Sequence, residues 1–168
     1  MIRQAKARDI SRLAEILVFT KRMNYRSIFH NDAYSFGELQ VLSVAEEYQK
    51  NPNLLKATWV YEDGFVKGLL CLEKEQIKQL YVDCFFENEG IGSQLIQFAI
   101  DNFDVRYLWA LEKNEKAIAF YKRHGFCYKG IWRYEEGTTE HLLKLERCSG
   151  SVPPEPLRSS SFGLPENS

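Results

Sequence analysis

Cysteine is sparse in this 168-residue chain, and Cys71, Cys84, Cys127 and Cys148 form no C-x-x-C pair. That spacing excludes the common zinc-ribbon and dithiol redox motifs. We expect all four to be small buried hydrophobes in a reducing compartment. Net charge is also missing: 22 Lys and Arg against 23 Asp and Glu leave −1. A chain so balanced has no general pull toward nucleic acid or an anionic membrane. There is no apolar run of membrane-span length, and Met1-Ile2-Arg3-Gln4 lacks the character of a signal peptide. The expectation is a cytoplasmic protein with neither nucleic acid nor membrane as a partner. Internal repeats are absent as well.

What is present is ordinary for a globular domain, with 45% hydrophobic and 27% charged residues. One domain of this length buries a substantial core. Ile2 to Ala5 suits a short strand. Asp9 offers an N-cap for a helix carrying Ile10, Leu13, Ala14 and Leu17 at helical spacing, with an end near Asn24. Tyr25 to Phe36 has no clean period and suits either an irregular loop or a lid over a substrate pocket. A second helix from about Glu38 stops before Asn51-Pro52. Strands then follow at Thr58–Tyr61, Phe65–Leu72 and Ile77–Val82, the first two joined at the turn Glu62-Asp63-Gly64. A helix after Gly92 shows Ile91, Leu95, Ile96, Ala99 and Ile100 on one face. Tyr107–Leu111 is a strand, Asn114–His124 a helix ended by Gly125, and Cys127–Tyr134 with His141–Leu145 a closing hairpin. This order predicts an α+β fold in three layers, a mixed, mostly antiparallel sheet flanked by helices. Residues 148–168, rich in Ser, Pro and Gly, read as a disordered tail that Phe162 and Leu164 could anchor.

The most informative stretch is the strand–turn–helix around Gly90-Ile91-Gly92. Glycines let backbone approach a ligand closely, and the helix that follows starts with amide N–H groups that have no partner inside it. Those donors and the helix dipole suit an anion, typically a phosphate. A P-loop is excluded because Ser93 stands where lysine is required. A dinucleotide fingerprint is excluded because Leu95 stands where a third small residue is required. Taken alone, the glycine pair reads better as an ordinary tight strand-to-helix connection.

Two local patterns in this element order go further. Leu80-Tyr81-Val82-Asp83 followed by Gly90-Ile91-Gly92 is one; Asn114-x-x-Ala117-x-x-x-Tyr121-x-x-x-Gly125-Phe126 is the other. Over residues 1–147 the chain resembles the GNAT superfamily of acetyl-CoA-dependent N-acetyltransferases. The resemblance implies that the strand at Leu80, Tyr81 and Val82 splays from its neighbour near Trp109, and that acetyl-CoA lies in the gap. Backbone groups of Leu80 and Val82 would pair with the pantetheine arm. Amides from Asn88, Glu89, Gly90, Ile91, Gly92 and Ser93 would hold the pyrophosphate, with Glu87 among the cofactor-binding residues beside them. Asn114 would hydrogen-bond the cofactor, and Ala117 and Phe120 would pack along it.

The implied reaction moves an acetyl group to a primary amine, on a small molecule or a protein, by direct transfer in a ternary complex. An alkylamine, with a pKa of about 10.4, must lose a proton before it attacks, and the departing thiolate must gain one. Tyr121 is the expected acid, because its phenol is protonated at working pH. Glu75 is the first choice as base, with Glu73, Glu112 or a chain of waters as rivals. His124 reads as a helix cap, His141 as structural, and His30 as a residue in the lid-like segment. Acceptor contacts are expected from Tyr25–Phe36 and from Trp132 and Tyr134, with Glu135 and Glu136 suited to a cationic amine. Glu87 and Glu89 stand where the superfamily usually carries uncharged or basic residues. Two carboxylates beside a pyrophosphate would repel it by about 1 kcal/mol each. The alternative is therefore a weakly active or non-catalytic CoA-binding module on the same fold. A homodimer paired through the C-terminal strands is a further expectation.

Overall fold

The computed structural model describes residues 1–148, so Phe162, Leu164 and nearly all of the expected tail lie outside the described residues. Seven strands form one sheet: β1 (Ile2–Gln4), β2 (Thr58–Asp63), β3 (Phe65–Glu73), β4 (Gln76–Val82), β5 (Tyr107–Leu111), β6 (Phe126–Tyr134) and β7 (His141–Arg147). Their order is β1-β2-β3-β4-β5-β7-β6. Every neighbouring pair is antiparallel except β4 and β5, which are parallel. The helices are α1 (Ile10–Phe29), α2 (Val41–Lys50), α3 (Pro52–Lys56), α4 (Ile91–Asn102) and α5 (Glu115–Arg123). Helix α4 is the crossover that a parallel pair demands.

Side-chain alternation along the strands divides the core into two layers. Leu69 faces α1 and α2, where it is buried with Leu13, Ala14, Val18, Val60 and Tyr48. Its neighbour Leu70 faces the other way, into a cluster with Leu95, Ile96, Ala99, Leu108 and Leu145. The apolar stripe expected on α4 is the face that fills this second layer, and Leu95 and Ile96 are fully buried there.

Several local expectations change. Helix α1 continues five residues past Asn24, because Tyr25, Ile28 and Phe29 pack against Leu111, Leu142 and Trp109. The presumed loop therefore shrinks to a short π-helical turn at Ala33–Glu38. Asp9 does not cap α1 through its side chain. It accepts from Arg3 at 2.8 and 3.0 Å and from the Lys6 amide at 2.8 Å, which ties β1 to the start of the helix. The short helix α3 was not foreseen; Asn51 caps it by accepting from the Leu54 amide at 3.1 Å. Of the cysteines, Cys71 follows expectation and the other three do not. Cys71 is buried, Cys84 is exposed, and Cys127 and Cys148 form a disulfide between Cα atoms 5.7 Å apart.

Candidate active site

Strands β4 and β5 pair only at their beginnings, Gln76 with Tyr107 and Ile77 with Leu108. Beyond that point they part, and the gap opens into a cleft of about 1690 Å³ lined by Gln79, Leu80, Tyr81 and Val82 on one side and Trp109, Ala110 and Leu111 on the other. On its far edge β4 stays paired to β3, and the Asp83 amide donates to the Lys67 carbonyl at 2.9 Å. Hydrogen bonding alternates along an antiparallel strand, so Leu80 and Val82 direct their amides and carbonyls toward the gap. These groups are open to a ligand with its own amides.

The mouth of the cleft is the β4–α4 connection. Gly90 has φ +80°, a left-handed conformation that side-chain-bearing residues adopt only at a cost. Gly92 is required for a different reason. A Cβ there would lie 3.3 Å from the ring of Phe120, so the absent side chain makes room for α5 as much as for a ligand. Asn88, Gly90, Ile91, Gly92 and Ser93 all line the cleft beside the unpartnered N–H groups of α4. His124 ties the two helices together: its Nδ1–H donates to the Phe120 carbonyl at 2.8 Å, and Nε2 accepts from Ser93 Oγ at 3.1 Å.

The two acidic residues of the loop are handled separately. Lys116 on α5 forms an ion pair with Glu87, which neutralises that carboxylate beside the cleft. Glu89 is exposed, does not line the cleft, and exerts its field on Lys67 instead.

Asn114, Ala117, Phe120 and Tyr121 line the wall that α5 contributes. Asn114 caps the helix, its Oδ1 accepting from the Ala117 amide at 3.3 Å, so its NH₂ is the part left to donate elsewhere. Tyr121 packs between Phe120 and Phe126, with ring centroids at 5.3 and 6.3 Å. Burial pushes its phenol well above the ordinary value, and the Tyr25 phenol adds to the effect. It therefore stays protonated across the physiological range. Tyr81 is raised in the same way, first by burial, and its hydroxyl lies 3.4 Å from that of Tyr25.

Glu75 is not brought to this cleft. It lies in the β3–β4 turn and is ion-paired to Arg106 at 3.3 Å, beside the closed end of the gap. Its rivals also lie elsewhere: Glu73 is paired with Lys78 at 3.0 Å, and Glu112 with His141 at 3.0 Å. The carboxylates that do line the cleft are Glu38, Glu87, Glu135, Glu136 and Glu140. Tyr134 lines it too, whereas Trp132 stacks on His141 with centroids 4.3 Å apart. Lys21 and Gln79 were not singled out from sequence, and Tyr25 only as the start of the Tyr25–Phe36 segment. No motif marks them, and only the path of α1 across the gap places Lys21 and Tyr25 there.

Among the described residues no cluster of three His, Cys, Asp or Glu could hold a metal, and no helix is long and apolar enough to cross a membrane. Residues 55–127, which span β2, β3, β4, the glycine loop, α4, β5 and α5, match the acetyltransferase (GNAT) domain model. The matched segment, a little under half of the chain, is similar to a GNAT acetyltransferase domain.

Solved structures of the same fold extend the likeness beyond the matched segment. The apo form of YjaB from Escherichia coli superposes with a TM-score of 0.71 at 21% identity, over 89% of this chain and 98% of that one. The PaiA N-acetyltransferase of Thermoplasma acidophilum, solved with coenzyme A, gives 0.63 at 16%, over 87% and 98%. A variant of the spermidine N-acetyltransferase SpeG from Vibrio cholerae gives 0.63 at 19%, over 88% and 94%. At these identities the likeness establishes the GNAT fold, with its mixed, mostly antiparallel sheet.

Proposed function

We propose that this GNAT domain is an N-acetyltransferase that moves the acetyl group of acetyl-CoA to a primary amine by direct transfer in a ternary complex. The observation that carries the proposal is the parted β4–β5 gap, with the glycine loop at its mouth and a protonated Tyr121 in its wall. The shape and donor set suit acetyl-CoA. An arm of amides fits the open backbone groups of Leu80 and Val82, and a pyrophosphate suits the amides from Asn88 to Ser93 at the start of α4. Asn114 Nδ2, Ala117 and Phe120 complete this side. Acetyl-CoA supplies a thioester whose carbon–sulfur bond breaks as the carbon–nitrogen bond forms.

The protein's part is to orient the two reactants and to manage protons. Tyr121 donates to the departing sulfur, and the phenol is well suited because burial holds its proton on. The amine must shed a proton before it attacks. With Glu75 bound to Arg106, Glu135 is the better-placed carboxylate, since its field reaches Lys21 and Tyr25 inside the cleft. The ion pair of Glu87 with Lys116 removes much of the reason to favour a non-catalytic CoA-binding module. Pairing of two copies belongs to the same proposal, supported by the outer position of β6 and by its exposed Ile131 and Trp132. Acetyl-CoA labelled in its acetyl group tests direct transfer. Label should pass to an added amine and none should remain on the protein when the amine is left out. Stable labelling of the protein would refute a ternary complex.

A further inference from the structure

The cleft has two faces. Glycine loop, α4 and α5 form one; α1 and the β6–β7 hairpin form the other. On the second face two features lack partners.

The first is Lys21. It lines the cleft from α1 and has no hydrogen bond or ion pair among the described residues. The charged groups that act on it are Glu135 from the hairpin and Glu47 from α2, and neither comes within ion-pair distance. Burial outweighs both of them and pushes the ammonium below its ordinary value. A partly dehydrated cation without a counter-ion is costly unless an anion arrives to meet it. Arg133 adds a second cation from β6, an exposed one. It lies over the Trp109 ring at 4.2 Å, lines the same cleft, and has no carboxylate partner among the described residues.

The second is Gln79. Its Oε1 is buried and accepts no hydrogen bond, although the side chain borders the cleft. Such an orphaned acceptor calls for an N–H donor. Gln79 pairs with Cys71 and shares its side of β4 with Tyr81, which packs on the α1 layer. The orphaned oxygen thus belongs to the face opposite the phosphate loop.

We propose that the acceptor is an aminocarboxylate that binds on the α1 face, its carboxylate paired with Lys21 and its amine donating to Gln79 Oε1. This rests on the acetyl-transfer reading for the chemistry, though the binding half stands without it. Glu135, whose field also reaches Lys21, and Glu136 line the same cleft and suit the ammonium of the acceptor. A polyamine, by contrast, would leave Lys21 without a counter-ion and add cations beside it.

The test uses the full chain and two matched probe sets, the twenty α-amino acids and their α-amides, with spermidine as the polyamine. Thiol release from acetyl-CoA reads turnover, and calorimetry on protein loaded with CoA reads binding. We expect at least one amino acid to exceed its amide by tenfold or more in kcat/KM and in affinity. Lys21→Met should bring that ratio close to one, while Lys21→Arg should keep most of it. Gln79→Leu should weaken acid and amide alike. Carboxylate preference in binding without any turnover would keep the site and discard acetyl transfer. Equal affinity for acid and amide, preference for spermidine, or no binding of any amino acid would overturn the proposal.

Discussion

Lys116 of α5 reaches across the cleft mouth to Glu87 in the β4–α4 loop, so an acidic loop is held next to an expected pyrophosphate without presenting a bare charge. Removing the lysine should expose the carboxylate. Unscreened by its partner, a charge about 4 Å away costs about 1 kcal/mol in water, roughly fivefold in affinity. Lys116→Ala should therefore weaken acetyl-CoA binding about fivefold, and Glu87→Gln added to it should restore the loss. Titration of the four proteins of this double-mutant cycle checks the coupling. Raising the salt should shrink it.

Tyr121 is expected to act on the leaving group rather than on binding. Tyr121→Phe keeps the ring between Phe120 and Phe126 and deletes only the hydroxyl. Loss of a general acid typically costs about 10²-fold or more in rate. Steady-state kinetics should show kcat falling by that factor, with the dissociation constant for acetyl-CoA within about twofold of the parent.

Gly92 is constrained by Phe120. With a Cβ 3.3 Å from the ring, Gly92→Ala makes the half-buried phenyl group shift by a few tenths of an ångström. Overpacking of this kind costs about 1 kcal/mol, the low end of the usual range. Thermal unfolding should register the loss, and Phe120→Leu in the same chain should recover part of it. Recovery of stability without recovery of acetyl-CoA affinity would separate the packing role of Phe120 from its place along the ligand.

The Arg3–Asp9 pair gives a pH dependence. Arg3 holds the Asp9 carboxyl below its ordinary value, chiefly through the side-chain hydrogen bonds. A depressed folded-state value means that stability from this group is present above the unfolded value of about 3.9 and is lost as pH falls through the lower, folded one. Asp9 is nearly inaccessible, at 5% exposure, and removing its charge leaves Arg3 with Glu62 as its remaining carboxylate partner, at 2.7 Å. Asp9→Asn should cost about 1.5 kcal/mol at neutral pH, the worth of the lost charge-assisted hydrogen bonds. The penalty should fade below about pH 4, where the parent loses the same interaction. Denaturant melts at pH 7 and pH 3 would read both values.

Much of the frame was legible because it rests on local chemistry. The hairpin at Glu62-Asp63-Gly64, the stripe on α4 and the two motifs flanking Trp109 depend on short-range pattern, and all appear where the residues indicate. The misses share one physical origin. Tyr25–Phe29 has no periodic signal because its helix is secured by contacts with Leu111 and Leu142, more than eighty residues away in sequence. Glu75 looked well placed from its position along a strand, but sequence does not say which end of the gap that strand opens. Glu87 looked repulsive because its partner, Lys116, lies 29 residues further along the chain. Lys21 and Gln79 carry no motif at all, and become notable only through what the fold leaves beside them.

The central claim is that the parted strands and the glycine loop form a CoA site. Calorimetric titration of the purified protein with acetyl-CoA tests it most directly, repeated on Glu87→Gln and on Gly90→Val. A CoA site here should give one site per chain with micromolar affinity in the parent, retained in Glu87→Gln and lost or much weakened in Gly90→Val. No heat of binding in either the parent or Glu87→Gln would contradict it.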